Sequence, residues 1–375
     1  MHRRNRRHFH RALAGLMLLL AMASISCGEV LEGTEQEVLF LRHKGADMNV
    51  WVRGNIDSKV IILVVHGGAG GNSAAYVPDY KDNLEHDYAI AYWDQRHGGS
   101  AQGSFSKKEF NHTNAWALMA EDMMLVIKML RERYGQDTKV FAWGHSWGVQ
   151  LGTKFLVDHD PELLDGWIAS NGTHSGNIEH ASRNAYILTY AQEMVDEGAE
   201  LDEPVTRGGV DIQTPQDAID WVNANDPITE WDQTDVQWTL GGVIGKWVYA
   251  NYTDPRYTEN LPPGTLLFSS PVSPIAQGIN SARTGTLINN SYRETSIQEF
   301  WDLSTEMKHI TIPVALLWGK YDHIIPEGVA YSYRDSIGTP PEDIMFEFYD
   351  AGHSPEYEQP DAFAEDVREF IERHR

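Results

Sequence analysis

The sequence has little of several features that define large classes of protein. It contains one cysteine, Cys27, so it can form neither an intramolecular disulfide nor a metal site built from several cysteines. It has no uninterrupted apolar stretch of about 18 residues, which excludes a multi-span membrane protein. Basic residues are scarce: 30 Lys and Arg stand against 54 Asp and Glu, giving a net charge of −24. Because an acidic chain repels nucleic-acid phosphates, we expect no nucleic-acid partner.

What the sequence does contain is typical of a folded protein of medium size. A chain of 375 residues is long enough for one large or two medium domains and for a sizeable core. Aromatic residues make up 11% of the chain, which argues against disorder. The acidity is interpreted as a solubilising surface or, alternatively, as an electric field that favours cationic substrates.

The N-terminal segment is typical of an export signal. Residues 1–11 are basic and contain no acidic residue, and residues 12–25 form an apolar run that is too short to span a bilayer comfortably. This order of a basic segment and a short apolar segment predicts a cleaved signal peptide over residues 1–26. We therefore expect those residues to lie outside the folded mature protein.

The end of this segment carries the only cysteine. The string SISC at residues 24–27 resembles the lipobox of bacterial lipoproteins, although Ser24 stands where that pattern prefers an aliphatic residue. The resemblance implies that Cys27 is acylated after export and becomes the new N-terminus. We therefore expect a lipid-anchored membrane protein of the cell envelope, with a soluble periplasmic or secreted protein as the alternative.

Short apolar runs alternate with helix-like segments through much of the remaining chain. Residues 38–42 and 49–53 predict an antiparallel hairpin, and the β-branched run at residues 59–66 predicts a strand buried on both faces. Further strand-like runs cover residues 88–93, 139–143, 166–170, 313–318 and 344–349, and helical segments cover residues 113–134, 146–158 and 361–373. This alternation predicts an α/β fold with a mostly parallel sheet flanked by helices.

Residues 172–307 interrupt the alternation. They show helical patterns but no strong strand pattern, which predicts an inserted, mainly helical cap. The predicted helices of the insertion cover residues 178–198, 215–224, 236–252 and 297–304. The mature chain then divides into a first core part at 27–171, the cap at 172–307 and a second core part at 308–375.

The motif GHSWG at residues 144–148 follows a strand-like run and opens a helical segment. In that context, G-x-S-x-G predicts a nucleophile elbow, a sharp strand-to-helix turn that exposes the serine hydroxyl above the sheet. The helix that begins there provides a dipole that favours developing negative charge. Ser146 is therefore the predicted nucleophile.

A serine hydroxyl is a poor nucleophile without a base, and two downstream residues fit that need. Asp322 and His353 each follow a strand-like run, in the chain order serine, acid, histidine. Because polar residues at the carboxyl ends of parallel strands meet at one edge of a sheet, we expect these three side chains to converge. His353 would take the proton of Ser146, and Asp322 would hold the histidine tautomer and stabilise the imidazolium.

Acyl transfer also needs an oxyanion hole made of two N–H donors. The backbone N–H of Trp147, directly after the nucleophile, is one predicted donor. The second is predicted in the glycine-rich loop HGGAGG at residues 66–71, at Gly68 or Ala69. Glycines in this loop would let the backbone approach a substrate closely.

Together these motifs resemble the α/β-hydrolase fold and, within it, the proline iminopeptidase (prolyl aminopeptidase) branch. The resemblance covers about residues 36–170 and 308–375. The family strings HGGPG, DQRGxGxS and GGSWG appear as HGGAG at residues 66–70, DQRHGGS at 94–100 and GHSWG at 144–148. The resemblance implies an α/β-hydrolase fold with an inserted cap, and a serine hydrolase that removes N-terminal proline or another residue from short peptides.

An aminopeptidase must bind a free ammonium group, and a desolvated cation needs carboxylates. The resemblance implies that glutamates of the cap do this. The cap offers Glu179, Glu193, Glu197, Glu200, Glu203 and Glu230, none of which can be matched to the family's amine site.

Two other functions stay open on the sequence. One is a carboxylesterase or lactonase with the same triad, and the other is a lipoprotein that binds a ligand without catalysis. No metal or organic cofactor is expected, because His66, His97 and His145 lack carboxylate or cysteine companions at ligand spacing. The expected partner is a small molecule or a short peptide.

Overall fold

The structure is a computed structural model, and it describes residues 35–68, 70–77, 80, 82–103, 112–253, 279–280 and 301–375. The predicted signal peptide and the predicted lipid site at Cys27 lie outside the described residues. The predicted oxyanion residue Ala69 and a large part of the second half of the predicted cap lie outside them as well.

The described residues form a sheet of nine strands. The strands are β1 (Glu35–His43), β2 (Ala46–Gly54), β3 (Val60–Val65), β4 (Ala89–Trp93), β5 (Gln102–Gly103), β6 (Lys139–His145), β7 (Gly166–Ser170), β8 (Val314–Gly319) and β9 (Ile344–Tyr349). Their order is β1-β2-β4-β3-β6-β7-β8-β9, with β5 paired to β2. Strand β2 is antiparallel to β1, β4 and β5, and the other pairs are parallel. The predicted hairpin and the mostly parallel sheet are confirmed.

Strand β3 shows why its sequence is apolar throughout. All six of its residues are buried, because it lies between β4 and β6 in the interior of the sheet. One large apolar cluster packs on each face: Trp116 and Ile127 belong to one, and Phe141 and Phe370 to the other. A strand covered on both faces is apolar along its whole length rather than alternating.

The structure describes eight helices over their whole length. They are α1 (His112–Tyr134), α2 (Trp147–Asp158), α3 (Gly176–Glu197), α4 (Pro215–Asn225), α5 (Trp231–Tyr252), α6 (Gly328–Ser336), α7 (Pro355–Glu358) and α8 (Pro360–His374). Helices α3, α4 and α5 lie between β7 and β8 along the chain and share an apolar cluster. In the part of the chain that the structure describes, no helix has the length and apolarity to cross a membrane.

The predicted helix over residues 297–304 is wrong in its described part. Asp302 instead forms a β-bridge with Ser175, and Gly176 donates its N–H to the carbonyl of Trp301 at 2.8 Å. The indole of Trp301 is buried edge-on against Trp116, with ring centroids 3.8 Å apart. These contacts hold residues 301–303 in a non-helical form, so tertiary packing overrides the helical pattern.

The topology brings five chain segments to one edge of the sheet. Strands β3, β6, β7, β8 and β9 run parallel in neighbouring positions, so the residues that follow them lie at the same edge. The predicted site residues Gly68, Ser146, Asp322 and His353 are all in these segments. In open α/β sheets this edge is where sites are built.

Candidate active site

Ser146 occupies a strained turn between β6 and α2. Its backbone has φ 53° and ψ −118°, a conformation that costs a non-glycine residue about 1–3 kcal/mol. Its N–H donates to the carbonyl of Ser170 at 3.0 Å, and its side chain is partly exposed. Gly148 permits the tight turn, because a Cβ at that position would lie 1.8 Å from the carbonyl oxygen of Val65. This geometry is that of a nucleophile elbow.

Asp322 and His353 are in direct contact. The distance from His353 Nδ1 to Asp322 Oδ2 is 2.7 Å, and the carboxylate is fully buried. The side-chain amide of Asn171 donates to the same Oδ2 at 2.7 Å, and the N–H of Ile324 donates to Oδ1 at 2.7 Å. Burial alone would raise the pKa of Asp322, but His353 and the hydrogen bonds from His353 and Asn171 together lower it below its usual range.

Asn171 is a site residue that the sequence analysis missed. It follows β7 directly, with a positive φ of 47°, and its side-chain oxygen accepts the N–H of Gly319 at 3.1 Å. It therefore ties the end of β8 to the Asp322 carboxylate. Its position immediately after a strand-like run was the available signal, but a search for acids, bases and nucleophiles passes over an asparagine.

The loop that carries His353 is held by two further side chains. Glu358 of α7 accepts the backbone N–H groups of Gly352 and Ser354 at 2.8 and 3.2 Å, and burial raises the pKa of its carboxyl group. The N–H of His353 donates to the hydroxyl oxygen of Tyr249 in α5 at 3.2 Å. Glu358 of α7 and Tyr249 of α5 thus fix the backbone around His353.

The predicted oxyanion donors lie on two connected segments. Trp147 is the first residue of α2, where N–H groups have no partner within the helix. Its indole N–H donates to Gln95 Oε1 at 3.0 Å, and the amide of Gln95 donates to the carbonyl of His66 at 2.9 Å. Gly68 is exposed with φ +56°, and Ala69 is outside the described residues. Gln95 therefore joins the glycine-rich loop to the residue after Ser146.

Asp94 and Arg96, the neighbours of Gln95, hold nearby loops in place through hydrogen bonds. Asp94 accepts the N–H groups of Ser73 and Ser100 at 3.0 and 2.8 Å. Arg96 is 4% exposed, pairs with Asp122 through two bonds of 2.7 and 2.9 Å, and donates to two carbonyls of the turn between β1 and β2. A guanidinium engaged in this way anchors the loop.

Helix α3 binds the loop that contains Asp322. The fully buried Arg183 donates to the carbonyl of Ile324 and pairs with Glu179 at 2.6 Å. The hydroxyl of Tyr186 donates to the carbonyl of Tyr321 at 3.3 Å. The acid loop is therefore held from outside the sheet by the same helical segment that separates β7 from β8.

The six candidate amine-binding glutamates have different surroundings. Glu179 pairs with Arg183, Glu203 pairs with Lys246 at 2.6 Å, and Glu193 contacts the hydroxyl of Tyr252. Glu230 is the N-cap of α5, and Glu197 and Glu200 are exposed. Glu179, whose partner Arg183 binds the loop that contains Asp322, is thus already paired with an arginine.

Three histidines near these loops are held neutral: His145 and His174 are buried, and His323 is half-buried. Burial lowers the pKa of His145 to about 3, with a further contribution from His353. Burial likewise lowers the pKa values of His174 and His323 to about 4. Within the described ranges, no group of three or more His, Cys, Asp and Glu side chains could hold a metal ion.

The comparisons with known proteins agree with this fold. Residues 56–242 match the protein-family model of the serine aminopeptidases, S33. The chain is 22% identical over 316 residues to "Probable aminopeptidase YbaC" of Bacillus subtilis (strain 168), which covers 84% of this chain and 89% of that relative. Among solved structures, proline iminopeptidase of Mycobacterium smegmatis gives a TM-score of 0.59 at 15% identity, covering 90% of this chain and 98% of that one. The CarC serine hydrolase of carbazole degradation gives 0.55 at 14% identity, covering 90% and 99%. The fold class predicted from the sequence is confirmed.

Proposed function

We propose that this chain, which is a serine hydrolase of the α/β-hydrolase fold, acts as an aminopeptidase that removes proline or another N-terminal residue from short peptides. One observation carries the proposal: Ser146 sits in a nucleophile elbow, and His353, hydrogen-bonded to the buried Asp322, lies at the same edge of the sheet. The S33 serine aminopeptidase match and the aminopeptidase relative support the choice of a peptidase.

In the proposed mechanism, Ser146 Oγ attacks the substrate carbonyl carbon while His353 Nε2 takes the hydroxyl proton. Because His353 Nδ1 donates to Asp322, Nε2 is the nitrogen that can accept this proton. Transfer of the proton to the leaving amine breaks the C–N bond and leaves the acyl group on Ser146. A water molecule deprotonated by the same Nε2 then attacks the ester and releases the acid.

Charge develops on the carbonyl oxygen and on the imidazole during these steps. The backbone N–H groups of Trp147 and of Gly68 or Ala69 would stabilise the oxyanion. The Asp322 carboxylate, kept ionised by its lowered pKa, would stabilise the imidazolium. Three donors already fix that carboxylate, so little reorganisation is needed as the charge forms.

The helices between β7 and β8 support a preference for small substrates. Arg183 of α3 and Tyr249 of α5 bind the backbone of the two loops that carry Asp322 and His353. Helices attached to both loops would restrict access to Ser146 by a folded protein. Short peptides and small esters fit such a site.

A carboxylesterase remains the second candidate, and the glutamates of the helical insertion favour it. Glu179, Glu193 and Glu203 are engaged with Arg183, Tyr252 and Lys246 respectively. An amine site requires a carboxylate that faces the substrate, and these three side chains face partners within the protein.

Cleavage of three substrates distinguishes the two candidates. We expect the enzyme to hydrolyse proline p-nitroanilide and to lose about 100-fold or more in kcat/KM on N-acetyl-proline p-nitroanilide, because acetylation removes the ammonium group and leaves its binding site unpaired. The measurement compares these substrates with p-nitrophenyl butyrate, with Ser146→Ala as the background control. Hydrolysis of the ester alone, or equal rates on the free and the blocked proline substrates, would replace the aminopeptidase by the esterase.

We also propose that the protein is exported and held at a membrane by acylation of Cys27. The support is the order of a basic segment, a short apolar run and a single cysteine at residues 1–27. We expect the wild-type protein in the membrane fraction of the producing bacterium and Cys27→Ser in the soluble exported fraction, because the substitution removes the only thiol to which lipid could be attached. Identical distribution of the two proteins would rule out the lipid anchor.

A further inference from the structure

A chain of hydrogen bonds joins the glycine-rich loop to the histidine loop. The N–H of Gly67 donates to the hydroxyl oxygen of Tyr76 at 2.9 Å. The Tyr76 oxygen lies 2.9 Å from His145 Nδ1, and His145 Nε2 lies 2.7 Å from the carbonyl oxygen of His353. The residue before Ser146 is therefore bonded on both sides to loops that the proposed mechanism uses.

The direction of each bond in this chain follows from its ends. A carbonyl oxygen only accepts, so His145 carries its proton on Nε2 and donates it to His353. In a neutral imidazole Nδ1 must then accept, so the Tyr76 hydroxyl donates to Nδ1 and receives the N–H of Gly67 on its oxygen. Burial supports the neutral form by lowering the pKa of His145 to about 3. Each donor in this series of hydrogen bonds therefore faces an acceptor.

Packing holds both rings of the chain in place. Tyr76 meets Trp143 edge-on, with ring centroids 4.9 Å apart, and Trp143 stacks on His145 with an interplanar angle of 16°. Gly67 approaches the same rings closely, since a Cβ there would lie 2.9 Å from the Tyr76 hydroxyl and 3.0 Å from His145 Nδ1. The Glu356 carboxylate lies farther from His145 Nε2, at 3.7 Å, than the His353 carbonyl does. The rings are thus fixed independently of a substrate.

We propose that Tyr76 and His145 are positioning residues that hold the oxyanion loop and the backbone of His353 at a fixed separation on either side of Ser146. The proposal rests on the proposed role of Ser146 and His353. It concerns a feature of this chain, because the family string that its elbow resembles has glycine where His145 stands. A Tyr76–His145 bridge matters for rate because misplacement of reacting groups by fractions of an ångström weakens transition-state stabilisation more than substrate binding.

Conservative substitutions at the two positions test the bridge. Tyr76→Phe removes the central hydroxyl, and His145→Asn keeps a polar group near the Nδ1 position but cannot reach the His353 carbonyl. We expect each to lower kcat on proline p-nitroanilide about tenfold with little change in KM. His145→Gln should stay within about threefold of the wild-type kcat, because its amide offers both a nitrogen that donates to the His353 carbonyl and an oxygen that accepts from the Tyr76 hydroxyl. The double variant Tyr76→Phe/His145→Asn should have a kcat no lower than that of the less active single variant. Either substitution alone already breaks the bridge, so the second has no further bond to remove.

Two measurements separate positioning from loss of fold. Values of kcat are expressed per serine labelled by a fluorophosphonate probe, so that unfolded protein is not counted, and the rate of labelling is measured as a second readout that needs no substrate. Tyr88→Phe is the matched control, because it removes a hydroxyl that donates to Glu372 at 2.8 Å on α8. We expect it to keep the wild-type kcat and labelling rate.

The outcomes distinguish the bridge from the function on which it rests. Slower labelling and lower kcat in Tyr76→Phe and His145→Asn, with rescue in His145→Gln, support the bridge. Wild-type labelling and turnover in both variants overturn the bridge and leave the proposed function standing. Wild-type protein that is not labelled at Ser146 overturns the proposed function, and the inference falls with it.

Discussion

Replacing Ser146 by alanine is expected to lower kcat by about 10⁴-fold or more, because no other side chain can form the acyl-enzyme. Alanine keeps the Cβ, so the strained backbone at φ 53° is as costly for the variant as for the wild type. We therefore expect the fold and the KM of any residual activity to change little. Steady-state kinetics on proline p-nitroanilide, together with a thermal melt, measure both effects.

The control for this prediction is the variant's own stability. A melting temperature within a few degrees of the wild-type value shows that lost turnover reports chemistry rather than unfolding. Turnover above about a tenth of the wild-type rate in a folded Ser146→Ala protein would be incompatible with a serine nucleophile at this position.

Replacing Asp322 by asparagine is expected to have the second largest effect, a loss of about 10⁴-fold in kcat. Oδ2 accepts from His353 and Asn171, and Oδ1 accepts from the N–H of Ile324. An amide NH₂ group at either position would face a donor, so neither orientation of asparagine satisfies all three partners. The favoured response of His353 is to move its proton to Nε2, which removes the lone pair that must accept the serine proton.

A matched substitution isolates this effect from the change in charge. Asp361→Asn removes one negative charge at an exposed position in the first turn of α8, and we expect it to keep the wild-type kcat. The pair is compared by steady-state kinetics at one pH. An Asp322→Asn enzyme that retains more than about a tenth of wild-type kcat would exclude Asp322 as the group that orients His353.

The placement of the candidate catalytic groups at one edge of the sheet could be predicted from the sequence because topology constrains it strongly. In a parallel sheet, the residues after neighbouring strands meet at one edge, so the order of Ser146, Asp322 and His353 along the chain is enough to anticipate the contact between the last two. The glycine pattern around Ser146 was informative because the turn admits no side chain at Gly148.

The supporting groups were not predictable in the same way. Arg183 and Ile324 are 141 residues apart, and Asn171 and Asp322 are 151 apart. No local periodicity encodes such pairs, and each residue type also has an ordinary surface role. The glutamates of the insertion show the opposite problem, that the sequence offers candidates which the structure makes less suitable. Glu179 fits an amine ligand by residue type, but in the structure it is paired with the buried Arg183.

The same limit explains the error at residues 301–304. Ile297, Phe300 and Trp301 have the i, i+3, i+4 spacing of an apolar helical face, and the side chains of Trp301 and Leu303 are in fact buried. The segment is not helical because its backbone bonds to the chain after β7, including the carbonyl of His174. Burial was inferable from composition, whereas the backbone partner was not.

Ser146 is proposed to be an activated nucleophile, and covalent labelling tests this role without assuming a substrate. The protein is incubated with a fluorophosphonate probe, digested, and analysed by tandem mass spectrometry beside Ser146→Ala and Asp322→Asn. We expect one adduct, on Ser146, absent from Ser146→Ala and formed far more slowly in Asp322→Asn because its His353 cannot accept the proton. An unlabelled wild-type protein, or an adduct on a different residue that persists in Ser146→Ala, would show that Ser146 is not the nucleophile.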